Sequence, residues 1–205
     1  MLPEAVRPEW VMAFDTSAAH CAAALLCGDR LVLRDEAMAK GQAERLVPLL
    51  QELLAEAGIT WSDLCAIGVG TGPGNFTGIR ISVAAARGLA LGLGIPAIGV
   101  TSFEAMALGA KRPVTVVMDA RRNEVYLQEF ADVGPGTAQL LAAAEAVVQG
   151  FVIGLGGATP SYAPVEAIVR IAMQRMHSTQ PRPAPFYLRG ADAAPPSDPP
   201  PVILP

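Results

Sequence analysis

The sequence predicts an α/β fold of two related lobes with mixed sheets, in which the second lobe is much reduced. Three strand-like segments come first and alternating helices and strands follow, an order that builds a mixed sheet covered by helices. A strand that ends in an aspartate-bearing turn and leads into a second strand occurs twice, at Asp15 and at Asp119. The 205 residues, 52% of them hydrophobic, are enough for one large domain or two small lobes.

Charge and apolar pattern argue against two classes of partner. The formal net charge is −4, so the sequence does not indicate a general surface for polyanions such as nucleic acid. The apolar stretch from Val83 to Leu93 is interrupted by Arg87 and two glycines, whereas a membrane span needs about 18 or more apolar residues. We therefore expect no direct contact with a membrane.

Cysteine and histidine usage indicates a reducing compartment and argues against a metal site. Cys21, Cys27 and Cys65 are an odd set without evident pairing, and we expect no signal peptide, so the cytoplasm is favoured. The two histidines, His20 and His177, are expected to be ordinary residues. Neither a His-x-x-x-His nor a Cys-x-x-Cys pattern is present, and no metal is predicted.

The first lobe begins with an antiparallel meander. Strands are predicted over Trp10 to Thr16, Cys21 to Cys27 and Arg30 to Ala37. A tight turn, Asp15-Thr16-Ser17, ends the first strand, and Gly28-Asp29 joins the other two as a hairpin. The helices and strands that follow are expected to extend this meander into a mixed sheet.

Two helices flank the next predicted strand, Leu64 to Gly70. The first, Gln42 to Ala57, has leucines at helical spacing and is followed by Gly58, a favoured residue after a helix. Pro48 is tolerated there if it lies in the first turn. The second helix, Thr77 to Leu93, contains several glycines that each cost about 1 kcal/mol relative to alanine. Another backbone is therefore expected to approach this helix closely.

Shorter elements continue into the second lobe. Ser102 is expected to cap a helix over Phe103 to Leu108, and Leu140 to Val148 is expected to form another short helix. Further strands and a last helix are predicted over Ile95 to Thr101, Pro113 to Asp119, Glu124 to Phe130, Phe151 to Leu155 and Val165 to Met176. We divide the chain into an N-terminal lobe (1–109), a reduced C-terminal lobe (110–190) and a proline-rich tail (191–205).

A glycine-rich corner, residues 71–78, joins the strand at Leu64 to Gly70 to the second helix. Its sequence is Thr71-Gly72-Pro73-Gly74-Asn75-Phe76-Thr77-Gly78. Glycines at alternate positions suit a backbone that takes positive φ or passes close to another group, and both Asn75 and Thr77 are good N-caps. A loop that ends on a helix N-terminus suits an anion, but it also suits a tight strand-to-helix turn.

Two functions of this corner stay open. In one, the chain is an ATPase or kinase in which the Asp15 carboxylate positions metal and water and the 71–78 loop holds phosphate. A nucleotide or phosphate site, active in this case or otherwise vestigial, would be formed by Asp15, Thr16, Ser17, Gly72, Gly74, Asn75 and Thr77. In the other, which we favour, the corner sets the angle of the second helix, because no Gly-Lys-Ser/Thr of a P-loop follows it.

Several stretches together resemble one family, TsaB (also called YeaZ), whose members act in tRNA threonylcarbamoyladenosine synthesis. The resemblance covers most of the first 130 residues and returns near residues 185–190. It is carried by Met12-Ala13-Phe14-Asp15-Thr16-Ser17, Glu44-Arg45-Leu46-Val47-Pro48-Leu49-Leu50, the corner with Ile79-Arg80, Asp119-Ala120-Arg121-Arg122-Asn123-Glu124-Val125-Tyr126 and Pro185-Phe186-Tyr187-Leu188-Arg189.

This resemblance implies an actin-like (ASKHA, RNase H-like) fold and a non-catalytic role. The family's partner TsaD holds the metal and transfers the threonylcarbamoyl group, and TsaE is an ATPase that cooperates with them. The resemblance thus implies a heterodimer with a TsaD-type subunit, tRNA contact only through the complex, and ATP with magnesium only at the level of that complex. Where relatives often have histidine, this chain has Gln42.

The resemblance also implies a partner surface. A TsaB-type subunit pairs with TsaD through two helices, which correspond here to residues 43–57 and 77–93. The expected interface residues are Leu46, Leu49, Phe76, Gly78, Ile79, Arg80 and Ser82. Without its partner, the same surface is expected to support a homodimer.

Overall fold

A computed structural model of the chain describes residues 8–148 and 150–189. The predicted tail at residues 191–205 lies outside the described residues. The first part contains β1 (Trp10–Asp15), β2 (His20–Cys27), β3 (Arg30–Ala37), α1 (Gln42–Ala57), a 3-10 turn (Trp61–Asp63), β4 (Leu64–Gly70), α2 (Phe76–Leu93), β5 (Ala97–Val100) and α3 (Ser102–Ala107). The second contains β6 (Val114–Asp119), β7 (Glu124–Ala131), β8 (Gly134–Pro135), β9 (Gln139–Ala142), β10 (Phe151–Gly154) and α4 (Pro164–Arg175).

The first sheet has the strand order β3-β2-β1-β4-β5. β2 runs antiparallel to both β1 and β3, whereas β1, β4 and β5 are parallel to one another. In the register of the central pair, Phe14 lies beside Val69. The carboxyl ends of β1 and β4 therefore meet at one edge, which brings the turn after Asp15 against the glycine corner.

The second sheet has the same three-strand arrangement at its centre as the first sheet, but fewer elements surround it. β6 pairs antiparallel with β7 and parallel with β10, as β1 does with β2 and β4. β8 and β9 both pair with β7 and take the place of β3. A helix like α1 is missing from the described part of the connection between β9 and β10. The predicted fold of two related α/β lobes with mixed sheets, the second reduced, is confirmed.

Both faces of the first sheet are covered by helices. On one face, α1 and α2 place Leu49, Leu53 and Ile79 against Met12 and Phe14, all fully buried. On the other face, α4 packs across β1, β2 and β4 through an apolar cluster of Val11, Ala13, Ala66, Ile98, Ile168 and Ala172. A Cβ on Gly68 would lie only 2.8 Å from the Ala172 Cβ. Although α4 follows the second sheet in the chain, it completes the core of the first.

Helix α2 is long and apolar enough, by length and composition, to cross a membrane. Its 18 residues have a mean hydropathy of 1.3, and 33% of them are buried. The buried positions, among them Ile79, Val83 and Ala86, face β1 and β4. A core helix of a globular protein has the same composition, so this is weak evidence for a membrane span.

Residues 140–148 do not form the predicted helix. Gln139–Ala142 is the strand β9, which pairs with β7, and turns follow it. The alanines of this segment favour a helix, but a helix of two turns is marginal by itself. The open edge of β7 offers hydrogen-bond partners to the backbone of this segment, and pairing with β7 therefore favours a strand over a helix.

Two details of the helix ends also differ from the prediction. Thr101, not Ser102, caps α3: Thr101 Oγ1 accepts the Glu104 N–H at 3.1 Å, and the Glu104 carboxylate accepts the Thr101 N–H at 2.9 Å. Pro48 lies inside α1 and beyond its first turn, because the helix already begins at Gln42. Its ring lies on the exposed side of the helix.

Truncation after Gly109 tests whether the first lobe is independent of α4. The fragment 1–109 keeps the first sheet but exposes the apolar face formed by Val11, Ala13 and Ile98. We expect it to lose near-ultraviolet circular dichroism and to bind a hydrophobic dye such as ANS. Truncation after Arg189 keeps α4 and is expected to unfold as cooperatively as the full chain. Cooperative unfolding of fragment 1–109 would contradict the role given to α4.

Candidate functional site

The glycine corner packs directly against the turn that follows β1. The Asn75 N–H donates to the Ser17 carbonyl at 2.6 Å, and Thr16 Oγ1 donates to the Gly78 carbonyl at 2.6 Å. A Cβ on Gly78 would lie 1.8 Å from the Thr16 carbonyl oxygen, and one on Gly74 would lie 2.6 Å from that of Ser17. These glycines are therefore required by the close approach of two backbones within the chain.

Two further segments are bound to the same corner. The Ser102 N–H donates to the Gly72 carbonyl at 2.8 Å, and Ser102 Oγ donates to the Pro73 carbonyl at 3.0 Å. Residues 180–189, which follow α4 and which we call the C-terminal segment, also reach the corner: the Phe186 N–H donates to the Thr71 carbonyl at 2.8 Å. The corner is thus a junction at which β1, α3 and the C-terminal segment meet.

Of the two predicted N-caps, Asn75 is the one used. Its side-chain Oδ1 accepts the Gly78 N–H at 2.9 Å, and its φ of −62° and ψ of 122° are those of an extended cap residue. Thr77 lies exposed in the first turn of α2. One N–H that a phosphate at this helix end would need is therefore already bonded within the chain.

The Asp15 carboxylate is occupied by groups of its own lobe. It accepts the Ser17 N–H at 3.0 Å and the Ser17 hydroxyl at 2.8 Å, and His20 Nε2 lies 3.3 Å from Asp15 Oδ2. Only 6% of Asp15 is exposed, and a Cβ on Gly70 would lie 2.5 Å from its Oδ1. Its hydrogen-bond partners and its burial leave little room for a metal ion.

His20 links two carboxylates and is not the ordinary residue that the sequence suggested. Its Nδ1 lies 3.2 Å from Asp35 Oδ1, on the side of the ring opposite Asp15. The hydrogen bond to Asp15 raises the pKa of His20 above its ordinary value of 6.5, although burial opposes this change. Its sequence position next to the Asp15 turn was the available signal, but only the pairing of β2 with β3 brings Asp35 to it.

The residues present do not fit a site for ATP and magnesium within this chain. The structure brings all seven predicted nucleotide-binding residues together, but it directs most of them at one another. No group of three or more His, Cys, Asp or Glu suited to a metal is found in residues 8–148 and 150–189. Asp119, the equivalent of Asp15 in the second lobe, accepts the Arg121 N–H at 2.8 Å and closes its own hairpin.

Five of the seven predicted interface residues belong to the core of the chain. The structure buries Leu46, Leu49, Gly78, Ile79 and Ser82, each of the three apolar side chains with 1% exposure or less. Their helical stripes cover the sheet, so these five residues present no side-chain surface to a partner. Phe76 and Arg80 are the two that remain exposed.

The exposed face of α1 and α2 is formed by other residues, which the sequence analysis did not identify. On α2 it includes Thr77, Ala84, Gly88 and Leu91, and on α1 it includes Val47, Gln51 and Ala55. A Cβ on Gly88 or Gly92 would meet no atom within 4 Å, so the surface is open there. The available signal was helical spacing, because these positions lie opposite the buried stripes. We call this surface the α1–α2 face.

An aromatic and arginine cluster lies at the corner end of the α1–α2 face. The Arg80 guanidinium carbon lies 3.7 Å from the Phe76 ring centroid, and Arg80 Nε donates to the Tyr187 hydroxyl at 2.9 Å. The Phe76 and Tyr187 ring centroids are 4.9 Å apart. Arg189 continues this C-terminal segment to the second lobe, where it pairs with Glu124 and donates to the Ala120 carbonyl.

Two glycines in α2 provide a matched test of the corner. Gly78→Ala places a Cβ against the Thr16 carbonyl, and we expect the free energy of unfolding to fall by about 2 kcal/mol or more. Gly88→Ala adds a Cβ in open space within the same helix and is expected to raise it by about 1 kcal/mol. Urea denaturation measures both, and equal effects would contradict the close backbone contact.

The His20 ion pairs predict a pH dependence of stability. Because the pKa of His20 is raised in the folded state, its contribution is complete below its ordinary value of 6.5 and is lost as the pH rises through the folded pKa. His20→Gln is therefore expected to flatten the fall in unfolding free energy above that pH. Urea denaturation across pH 5 to 9 measures it, with the exposed His177→Gln as control. An unchanged pH profile in His20→Gln would contradict the prediction.

Comparison with known proteins identifies the family. A family model described as TsaD, tRNA N6-adenosine threonylcarbamoyltransferase, matches residues 36–188, about three quarters of the chain. The tRNA threonylcarbamoyladenosine biosynthesis protein TsaB of Escherichia coli is 37% identical over 125 residues, which are 58% of this chain and 54% of that protein. The chain therefore spans little more than half the length of this relative.

Two longer matches agree with this. An uncharacterized protein of Mycobacterium tuberculosis is 36% identical over 93% of this chain and 96% of its own length. The solved structure of YeaZ from Pseudomonas aeruginosa has a TM-score of 0.71 and 26% identity, covering 88% of this chain and all of that one. The chain thus belongs to the TsaD family and, within it, to the TsaB (YeaZ-like) group.

Proposed function

We propose that this chain is a non-catalytic subunit that supports a TsaD-type catalytic subunit in the threonylcarbamoyladenosine modification of tRNA. The observation that carries this proposal is a contrast between two surfaces. The Asp15 turn and the glycine corner use their polar groups on each other, whereas the apolar α1–α2 face is left exposed. A subunit built in this way is suited to binding a partner and poorly suited to chemistry of its own.

The α1–α2 face fits a docked pair of helices. Ala84 and Gly88 are small and lie one turn apart, which permits helix axes to approach to about 8 Å. Val47 on α1 and Leu91 on α2 are 43% and 77% exposed and supply apolar area at the two sides. Burying this surface against two helices of a TsaD-type subunit would form a four-helix contact. In the absence of that subunit, a second copy of the chain is the alternative occupant.

The catalytic groups then belong to the partner. The TsaD-type subunit would hold the metal and transfer the threonylcarbamoyl group, and a TsaE-type ATPase would act on the assembled complex. With a net charge of −4, this chain is expected to meet tRNA only through the complex. The cytoplasm is the compartment that this function requires.

Reconstitution tests the proposal directly. The purified chain is mixed with the TsaD-type subunit and TsaE-type ATPase of the same organism, and threonylcarbamoyladenosine formation on tRNA is measured with and without it. Higher activity with the chain, together with a complex on gel filtration, is the expected result. Unchanged activity without a complex would overturn the proposal. Turnover of ATP by the chain alone, abolished in Asp15→Ala, would favour an enzyme instead.

Substitution of Ala84 tests the docking surface. Ala84→Gln adds a polar side chain to an exposed helix position, so the fold is retained while close helix approach is blocked. We expect the affinity for the TsaD-type subunit to fall by about tenfold or more, which corresponds to about 1.4 kcal/mol. Ala144→Gln makes the same change at an exposed alanine of the second lobe and is expected to bind normally. Calorimetry measures both, and equal affinities would exclude this face.

A further inference from the structure

The exposed stripe of α2 carries two arginines and no acidic residue. Arg80 and Arg87 are seven positions apart, which places them on one side of the helix at about 10.5 Å from each other. The small residue Ala84 lies between them on the same stripe. On a chain whose net charge is −4, this is a local concentration of positive charge within an otherwise apolar surface.

Arg80 is held in position by the aromatic cluster. Its guanidinium stacks on Phe76, and Nε donates to the Tyr187 hydroxyl, while the terminal N–H groups make no hydrogen bond to the residues that the structure describes. A guanidinium that is already ordered loses less conformational entropy when it binds. The cluster therefore prepares Arg80 for a carboxylate from outside the chain.

Arg87 lies at the other end of the stripe, beside a shallow groove of about 480 Å³. The groove lies between the end of α2, the start of β5 and residues 180–183, with Leu91 and Ile95 among its apolar lining and Arg182 also lining it. Within the part of the chain that the structure describes, no carboxylate lies at ion-pair distance from Arg80, Arg87 or Arg182. Among the described residues, no carboxylate therefore pairs with the arginine at either end of the stripe.

We propose that the occupant of α2 is an acidic helix of the TsaD-type subunit, with carboxylates about two turns apart. One carboxylate faces Arg80, and the other enters the groove beside Arg87 and Arg182. This inference rests on the proposed function and adds the chemistry of the partner. On the neighbouring α1, Glu52 pairs with Arg45 and Glu56 with Arg34, and Glu44 adds a further negative charge, so an acidic helix is attracted to α2 and finds no such attraction at α1. The arginines therefore also orient the partner, because they favour α2 over α1 as the position of its acidic helix.

Charge reversal at Arg87 tests the proposal. Arg87→Glu is compared with Lys111→Glu, the same charge change at an exposed residue outside the α1–α2 face. Binding to the purified TsaD-type subunit is measured by calorimetry at low and high salt, after circular dichroism has confirmed the fold. We expect Arg87→Glu to weaken binding by about tenfold or more and to reduce its salt dependence, and Arg87→Lys to keep most of the affinity. Arg182→Glu is expected to behave like Arg87→Glu.

Each alternative outcome is distinct. If Arg87→Glu binds as Lys111→Glu does, while Ala84→Gln still weakens binding, the face is an interface but the acidic helix is excluded. If the wild-type chain does not bind the TsaD-type subunit, the proposed function fails and this inference fails with it. If Arg87→Glu disrupts only self-association on gel filtration, the occupant is a second copy of the chain, and the acidic helix of the TsaD-type subunit is again excluded.

Discussion

The turn after β1 packs directly against the start of α2, and the arrangement of the neighbouring elements follows from this contact. Thr16 and Ser17 approach the corner so closely that Gly74 and Gly78 admit no side chain. This contact sets the position of α2 on the sheet, and the same corner holds α3 and the C-terminal segment by backbone hydrogen bonds. A loop whose composition suits phosphate is here a junction between four segments of one chain.

The same contact accounts for the polar groups of the Asp15 turn. Asp15 is saturated by Ser17 and His20, and Asn75 uses its side chain on the end of α2. The Asp15 and Asn75 side chains, which the sequence suggested as nucleotide contacts, therefore stabilise the fold. The outer surface of α2 remains exposed, and the corner determines its position, so a contact in the core controls which residues this helix presents to solvent.

The C-terminal part of the chain passes between the two sheets and links them. Helix α4 follows the second sheet but covers the first, and the segment ending at Arg189 runs from the corner to the β6–β7 hairpin. Tyr187, on the way, orders Arg80 at the end of the exposed stripe. Residues more than a hundred positions apart therefore build one surface, and the reduced second lobe contributes to it by anchoring the segment.

Local signals in the sequence were enough to predict the fold class, the glycine corner and most elements of the first lobe, because helical spacing, alternation and glycine positions are visible over short stretches of chain. The motifs of the sequence also predicted the family. Which side of each helix is buried could be read only from the tertiary structure: Leu46, Leu49 and Ile79 face the sheet, whereas Ala84 and Arg87 do not. It alone decided that residues 139–142 form a strand and that His20 joins Asp15 to Asp35. The reason is physical, since a leucine stripe shows that a helix has a buried side but not what buries it, and contacts between distant strands leave no local pattern.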